Sequence, residues 1–214
     1  MDLGDLFEEI HVNDVMEGDI SSYVVDVEAS FEAALHIGDR IRQREGHLLR
    51  GQGRNRGLHP DIRRLLTAIE AAPVTVVAAV NGRCLAGGLE LALACDLIAA
   101  THDARFFDAH LAGGLLPSGG ASVRLRERIG RGSAFRLLVE GAELDAEEAV
   151  DWGLADVMFD SHDELLAWAR TLAARLSRYP AGLLAQIKGQ LAHGREPRDG
   201  QAFDRELTDL DSYP

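Results

Sequence analysis

Within GGLELALAC, residues 87–95, a single carboxylate, Glu90, stands among glycines and aliphatic side chains. If the segment is helical, its neighbours one turn away are Ala86, Gly87, Leu93 and Ala94, so Glu90 joins no polar stripe. Two placements satisfy this pattern. Buried or facing a cavity, the carboxyl loses solvation of its charged form, its pKa rises, and it is suited to general acid or base work. At the helix edge it reaches water or pairs with an arginine and does no chemistry. Gly87 and Gly88 favour the first placement: glycines at a helix start leave backbone N–H groups without intrahelical partners and let another molecule approach. Such donors can hold an oxyanion, and a proton carrier one turn away would then sit beside a polarised carbonyl. The alternative is that the glycines only allow close helix packing.

These residues need elements to position them. VTVVAAV, residues 74–80, is a continuous β-branched run and predicts a strand covered on both faces, with Asn81 and Gly82 turning the chain. DLIAAT predicts a second buried strand. GGLLPSGGAS, residues 113–122, reads as a glycine-rich loop entering a helix around SVRLRERIG, without the GK[ST] ending of a phosphate loop. Further on, Asp145 with Glu148 reads as a helix-capping box stopped by Gly153, and Ser161 with Glu164 repeats it, with Pro180 past that helix's end. Before residue 74 the spacing predicts an amphipathic helix over 27–41, an Arg- and Gly-rich loop, and a helix from about Pro60 that Pro73 ends. Strands alternating with helices make this an α/β chain.

Composition sets limits. The 214 residues allow one domain with a substantial core, and no apolar run reaches the roughly 20 residues a membrane-spanning helix needs. No signal-peptide pattern opens the chain, so a cytoplasmic protein is expected. A net charge of -13 argues against general nucleic-acid binding. The charge is uneven: residues 1–39 carry no Lys or Arg, whereas Arg40, Arg42, Arg44, Arg50, Arg54, Arg56, Arg63 and Arg64 crowd the next stretch, either as a local anion site or as a solvated face. Cys84 and Cys95 lack metal-ligand or CxxC spacing and read as reduced core residues, so no metal site is expected. The other histidines and Asp108 show no spacing for a Ser/His/Asp triad, and the G-x-S-x-G elbow is absent.

PVTVVAAVNGRCLAGGLELALACDLIAA, followed by ARFFDAHLAGGLLPSGGASVRLRERIG and GAELDAEEAVDWGLADVMF, resembles the enoyl-CoA hydratase/isomerase (crotonase) superfamily over residues 60–190. The opening MDLGDL resembles the end of that family's FxxGxDL stretch. The resemblance implies a crotonase-like (ClpP/crotonase) α/β spiral of ββα turns with C-terminal helices, N-terminally truncated because the family's first strands fall ahead of Met1. It divides the chain into a core over 1–190, with a long helical, Arg-rich insertion at about 11–59, and a short or divergent tail over 191–214. It implies a homotrimer or hexamer that binds acyl-CoA or enoyl-CoA thioesters, with coenzyme A entering only as part of the substrate and no separate cofactor. The family's two oxyanion donors fall on Gly87 and Met1, and its two hydratase glutamates on Glu90 and His110. Ligand contacts fall on Asp2, Leu3, Ala86, Gly88 and Gly114. The expected activity is hydration or isomerisation of the thioester; the alternative is a non-catalytic paralogue that keeps the fold for assembly or CoA binding.

Overall fold

A computed structural model describes residues 12–14, 22–26 and 60–193, with 12–14, 22–26, 60–62 and 192–193 as backbone only. Its larger sheet has strand order β1-β2-β3-β5-β8, from β1 (Val12–Asp14), β2 (Ser22–Asp26), β3 (Thr75–Val80), β5 (Leu97–Thr101) and β8 (Val157–Phe159). A smaller sheet has order β4-β6-β7, from β4 (Arg83–Leu85), β6 (Arg105–Phe107) and β7 (Glu143–Asp145). β3 pairs in parallel with β5, and β4 in parallel with β6.

The chain alternates between the sheets as a spiral requires. β3 lies in the large sheet, β4 in the small one, and helix α2 (Gly87–Ala94) follows. β5 and β6 repeat the sequence before helix α3 (Ala121–Phe135). Each new turn is fastened to the last by an aspartate: Asp96 accepts from the Val76 amide at 2.7 Å, and Asp156 accepts from the Ile98 amide at 2.7 Å.

β3 is buried on both faces, as its β-branched run predicts. Val76, Ala78 and Val80 join a core with Leu66 and Ile69 of helix α1 (Pro60–Ala71), Leu89 of α2 and Leu125 of α3. Val77 and Ala79 meet Leu165, Ala169 and Leu172 of helix α5 (His162–Leu176) on the other face. Cys84, Phe106 and Leu144, one from each strand of the small sheet, complete the first core.

Helix α4 (Ala146–Asp151) starts with the expected capping box of Asp145 and Glu148. At α5, Ser161 caps as read, but the Glu164 carboxylate accepts from the Asp160 amide, one residue ahead of the position a closed box requires. Helix α6 (Ala181–His193) agrees with the C-terminal helices the resemblance implies; Lys188, the only lysine, fastens it by donating to the carbonyls of Ile69 and Val74 and to Asp96 at 2.7 Å. Within the segment read as a helical, Arg-rich insertion at about 11–59, the described residues form two strands, β1 antiparallel to β2 and β2 parallel to β3. The helix expected over 27–41, the Arg residues from 40 to 56 and the tail beyond 193 lie outside the described residues.

Candidate active site

β4 and β6 run in parallel with Leu85 level with Phe107, so the segments that follow, Ala86–Glu90 and Asp108–His110, leave the same edge of the small sheet. The carboxyl ends of neighbouring parallel strands are where α/β proteins commonly bind ligands.

The turn into α2 is sharp. Ala86 is the only non-glycine among the described residues with positive φ, at φ 46° and ψ -116°. Its carbonyl accepts from the Glu90 amide at 3.0 Å and so points along the helix. The peptide is trans, so the Gly87 N–H points the opposite way, out of the helix N-terminus. Gly87 is half-buried, whereas Gly88 is buried within the helix. An unusual backbone conformation thus aims one amide outward from the edge where β4 ends.

Glu90 lies in the first turn of α2 and is 1% exposed, so of the two placements open to it the structure takes the buried one. Its Oε1 accepts from the Gly119 amide at 2.6 Å and more distantly from the Ala121 amide at 3.4 Å. Ala121 is the first residue of α3, so the carboxyl lies at that helix's N-terminus while also occupying the first turn of its own. Burial disfavours the charged carboxylate, and two helix N-termini with a short amide contact favour it. The same contacts serve the fold by satisfying donors at the start of α3.

Gly119 is what lets the carboxyl lie there. A Cβ at this position would fall 2.6 Å from Glu90 Cδ and 3.0 Å from Oε1. Arg124, 8% exposed, holds Gly119 from the other side: its Nη1 donates to the Gly119 carbonyl and its Nε donates to Glu70 Oε1 of α1 at 2.8 Å. A chain of contacts therefore runs from α1 through α3 to the buried glutamate.

His110 opens a single helical turn, Leu111–Gly113, and its carbonyl accepts from the amides of Gly113 and Leu115. Asp108 grips it twice: Oδ2 takes the ring Nδ1 at 2.8 Å, and Oδ1 accepts from the His110 amide at 3.0 Å. The Asp108 side chain is 1% exposed and that of His110 12%. Asp108 has no triad spacing in the sequence, yet it is the partner of His110. Asp-x-His was its signal, since a carboxylate two residues before an amide can accept from it. Gly119 and Arg124 were also missed; the glycine pair 119–120 was the clue to the first of them. Gly114 closes the single turn in the left-handed conformation and is exposed. Met1, Asp2 and Leu3 lie outside the described residues. Cys84 and Cys95 are buried and unbridged, and burial pushes the Cys95 thiol up to about 12.

The family model for enoyl-CoA hydratase/isomerase matches residues 41–214. The chain is similar to 2,3-dehydroadipyl-CoA hydratase of Escherichia coli (strain K12), 32% identical over 149 residues, which are 69% of this chain and 58% of that one. It is 34% identical to YngF of Bacillus subtilis (strain 168), covering 79% of this chain and 62% of that one. The chain thus spans less than two thirds of the length of these curated relatives. Among solved structures, an enoyl-CoA hydratase from Mycobacterium avium subsp. paratuberculosis K-10 superposes with a TM-score of 0.70 at 26% identity, over 96% of this chain and 91% of that one.

Proposed function

This chain belongs to the enoyl-CoA hydratase/isomerase family, and from that premise we propose that it hydrates or isomerises an enoyl-CoA thioester. The observation that carries the reading is Glu90: a carboxyl buried among aliphatic side chains, held by the Gly119 amide, one turn from an outward-pointing Gly87 N–H. Gly87 N–H binds the thioester oxygen, which gains negative charge as an enolate forms. Glu90 and His110 carry the protons. In hydration, one of them removes a proton from water as the oxygen bonds to Cβ, and the other delivers a proton to Cα as the enolate collapses. The two then re-equilibrate through solvent, so the turnover adds one water and leaves the protein unchanged. In isomerisation Glu90 removes and returns a proton on the same acyl chain.

Coenzyme A enters as part of the substrate, and the chemistry calls on no metal or redox cofactor. The ligand-contacting backbone is that of Ala86, Gly88 and Gly114, with Met1, Asp2 and Leu3 at the chain's start. The protein works in the cytoplasm as a homotrimer or hexamer. Support for assembly comes from α6, where Leu183, Ile187 and Leu191 form one apolar stripe 48%, 46% and 75% exposed. No described helix is long and apolar enough to cross a membrane.

Crotonyl-CoA hydration by the chain and by Glu90→Gln tests the reading. Turnover in the first and a loss on the order of 100-fold or more in the second is expected. CoA binding without turnover by the unsubstituted chain would favour a non-catalytic member of the family instead.

A further inference from the structure

We infer that Asp108 is a positioning residue that makes His110 a proton carrier through its Nε2 atom. The inference rests on the reading of His110 as the second proton carrier. A lone histidine on a loop has two neutral tautomers and a freely turning ring, so half its encounters would present the wrong nitrogen. Here one carboxylate removes both freedoms. Oδ1 accepts from the His110 amide at 3.0 Å and ties the carboxylate to the backbone, while Oδ2 takes Nδ1 at 2.8 Å. A carboxylate is an acceptor only, so Nδ1 carries the proton and the lone pair is left on Nε2. When Nε2 gains a proton, the imidazolium charge forms 2.8 Å from a carboxylate whose side chain is 1% exposed and therefore weakly screened.

The placement agrees with this role. Asp108 directly follows β6, whose last residue, Phe107, is level with Leu85 of β4. The dyad thus starts at the sheet edge where the Ala86 turn aims its amide outward. Ahead of His110 the chain is the central strand of the small sheet, and after it the Leu111–Gly113 turn is closed by bonds to the His110 carbonyl from Gly113 at 3.0 Å and Leu115 at 2.9 Å. The backbone carrying the histidine is fixed on both sides.

Asp108→Asn tests this. Asparagine keeps the shape and can still accept from the His110 amide, but it offers an NH2 to Nδ1 and so turns the ring to the Nε2–H tautomer. In ring-nitrogen NMR of the full chain, the unsubstituted protein is expected to show His110 protonated at Nδ1, and Asp108→Asn to show it at Nε2. In crotonyl-CoA hydration, kcat should fall about 100-fold with KM changed less than twofold. Because Asp108 acts through His110, Asp108→Asn placed on His110→Gln should cost no further activity. A folding role would instead make the losses multiply, and His110→Ala with Asp108→Ala, each followed by thermal unfolding, identifies a variant that has merely failed to fold. An Nε2–H tautomer in the unsubstituted chain, an unchanged tautomer in Asp108→Asn, or multiplying losses overturns the inference. An inactive unsubstituted chain sinks the hydration reading, and the tautomer pair then decides the dyad by itself.

Discussion

Gly119→Ala is the sharpest perturbation of the buried glutamate. Gly119 does not have positive φ, so an alanine there meets no backbone strain and the cost comes from contact alone. The new Cβ would fall 2.6 Å from Glu90 Cδ, inside any normal carbon contact, with the carboxyl boxed in among core residues. Overpacking of this kind costs about 1–3 kcal/mol. If the carboxyl swings away to relieve it, the 2.6 Å bond from the Gly119 amide goes with it, and a hydrogen bond to a charged group is worth about 1.5–3 kcal/mol. A total near 3 kcal/mol lowers Tm by roughly 6–12 °C in a chain of this size. The displaced carboxyl also loses its catalytic position, so kcat for crotonyl-CoA hydration falls by about 100-fold or more. Gly132→Ala is the control: it is exposed beyond the helix break at Gly130 with nothing within 4 Å of its Cβ, and it should stabilise by up to about 1 kcal/mol. Adding Glu90→Asp to Gly119→Ala shortens the side chain by one methylene and should restore part of the Tm without restoring kcat. A Gly119→Ala protein with unaltered Tm and kcat would refute the close approach, and with it the assignment of Glu90 to this position.

Arg124→Met breaks a largely buried ion pair and frees the Gly119 carbonyl, so thermal unfolding should show a loss of about 2–4 kcal/mol; Glu70→Gln, at a side chain 32% exposed, should cost under about 1 kcal/mol. Cys84 and Cys95 should be unreactive toward a disulfide reagent at pH 8 in the native chain and both titrate in guanidinium, because burial keeps each thiol protonated. With both folded pKa values above the ordinary 9.0, the folded state holds its protons where the unfolded state has lost them, so stability present below pH 9 is lost as pH rises. Urea melts at pH 8 and pH 10 should therefore differ by about 2–3 kcal/mol more in the unsubstituted chain than in Cys84→Ala/Cys95→Ala, at about 1.4 kcal/mol per thiol per pH unit. Lys188→Met removes three bonds that fasten α6, and hydrogen exchange over residues 181–193 should rise well above that of the core strands. Ile187→Glu, in the exposed stripe of the same helix, should lower the mass seen in sedimentation if that stripe is the subunit contact.

What was legible in the sequence follows the range of the forces involved. β3 and β5 could be read because their pattern is local and both their faces meet apolar side chains, one core on each side. The caps at Asp145 and Ser161 could be read because three residues complete them. β1 and β2 could not, since three and five residues carry little pattern of their own and β2 is held by β3, about 50 residues away in the chain. In the site, Glu90 and Gly87 stood out by type within an apolar run. Asp108 did not, because its importance is the direction its carboxylate takes relative to a neighbouring ring, which spacing alone leaves open. Arg124 was hidden for a related reason: an arginine in an Arg-rich chain looks like a surface residue until its head group is found against Gly119 and Glu70.

The glycine pairs 87–88 and 119–120 then have complementary uses. Gly87 and Gly88 begin a helix whose first amide points outward, toward where a ligand's oxygen would lie; Gly119 and Gly120 precede a helix whose N-terminus points inward, at Glu90. In the proposed reaction one helix N-terminus is left open for the charge that develops, and the other is closed by the group that would move the proton. Backbone amides at the start of α3 hold the Glu90 Oε1. His110 is held at Nδ1 by a carboxylate, which suits a group that becomes positive when it takes up a proton. The prediction that separates these two modes is Asp108→Asn against Gly119→Ala: the first should alter the protonation behaviour of His110 with little change in Tm, and the second should lower both Tm and kcat as the Glu90 carboxyl is displaced.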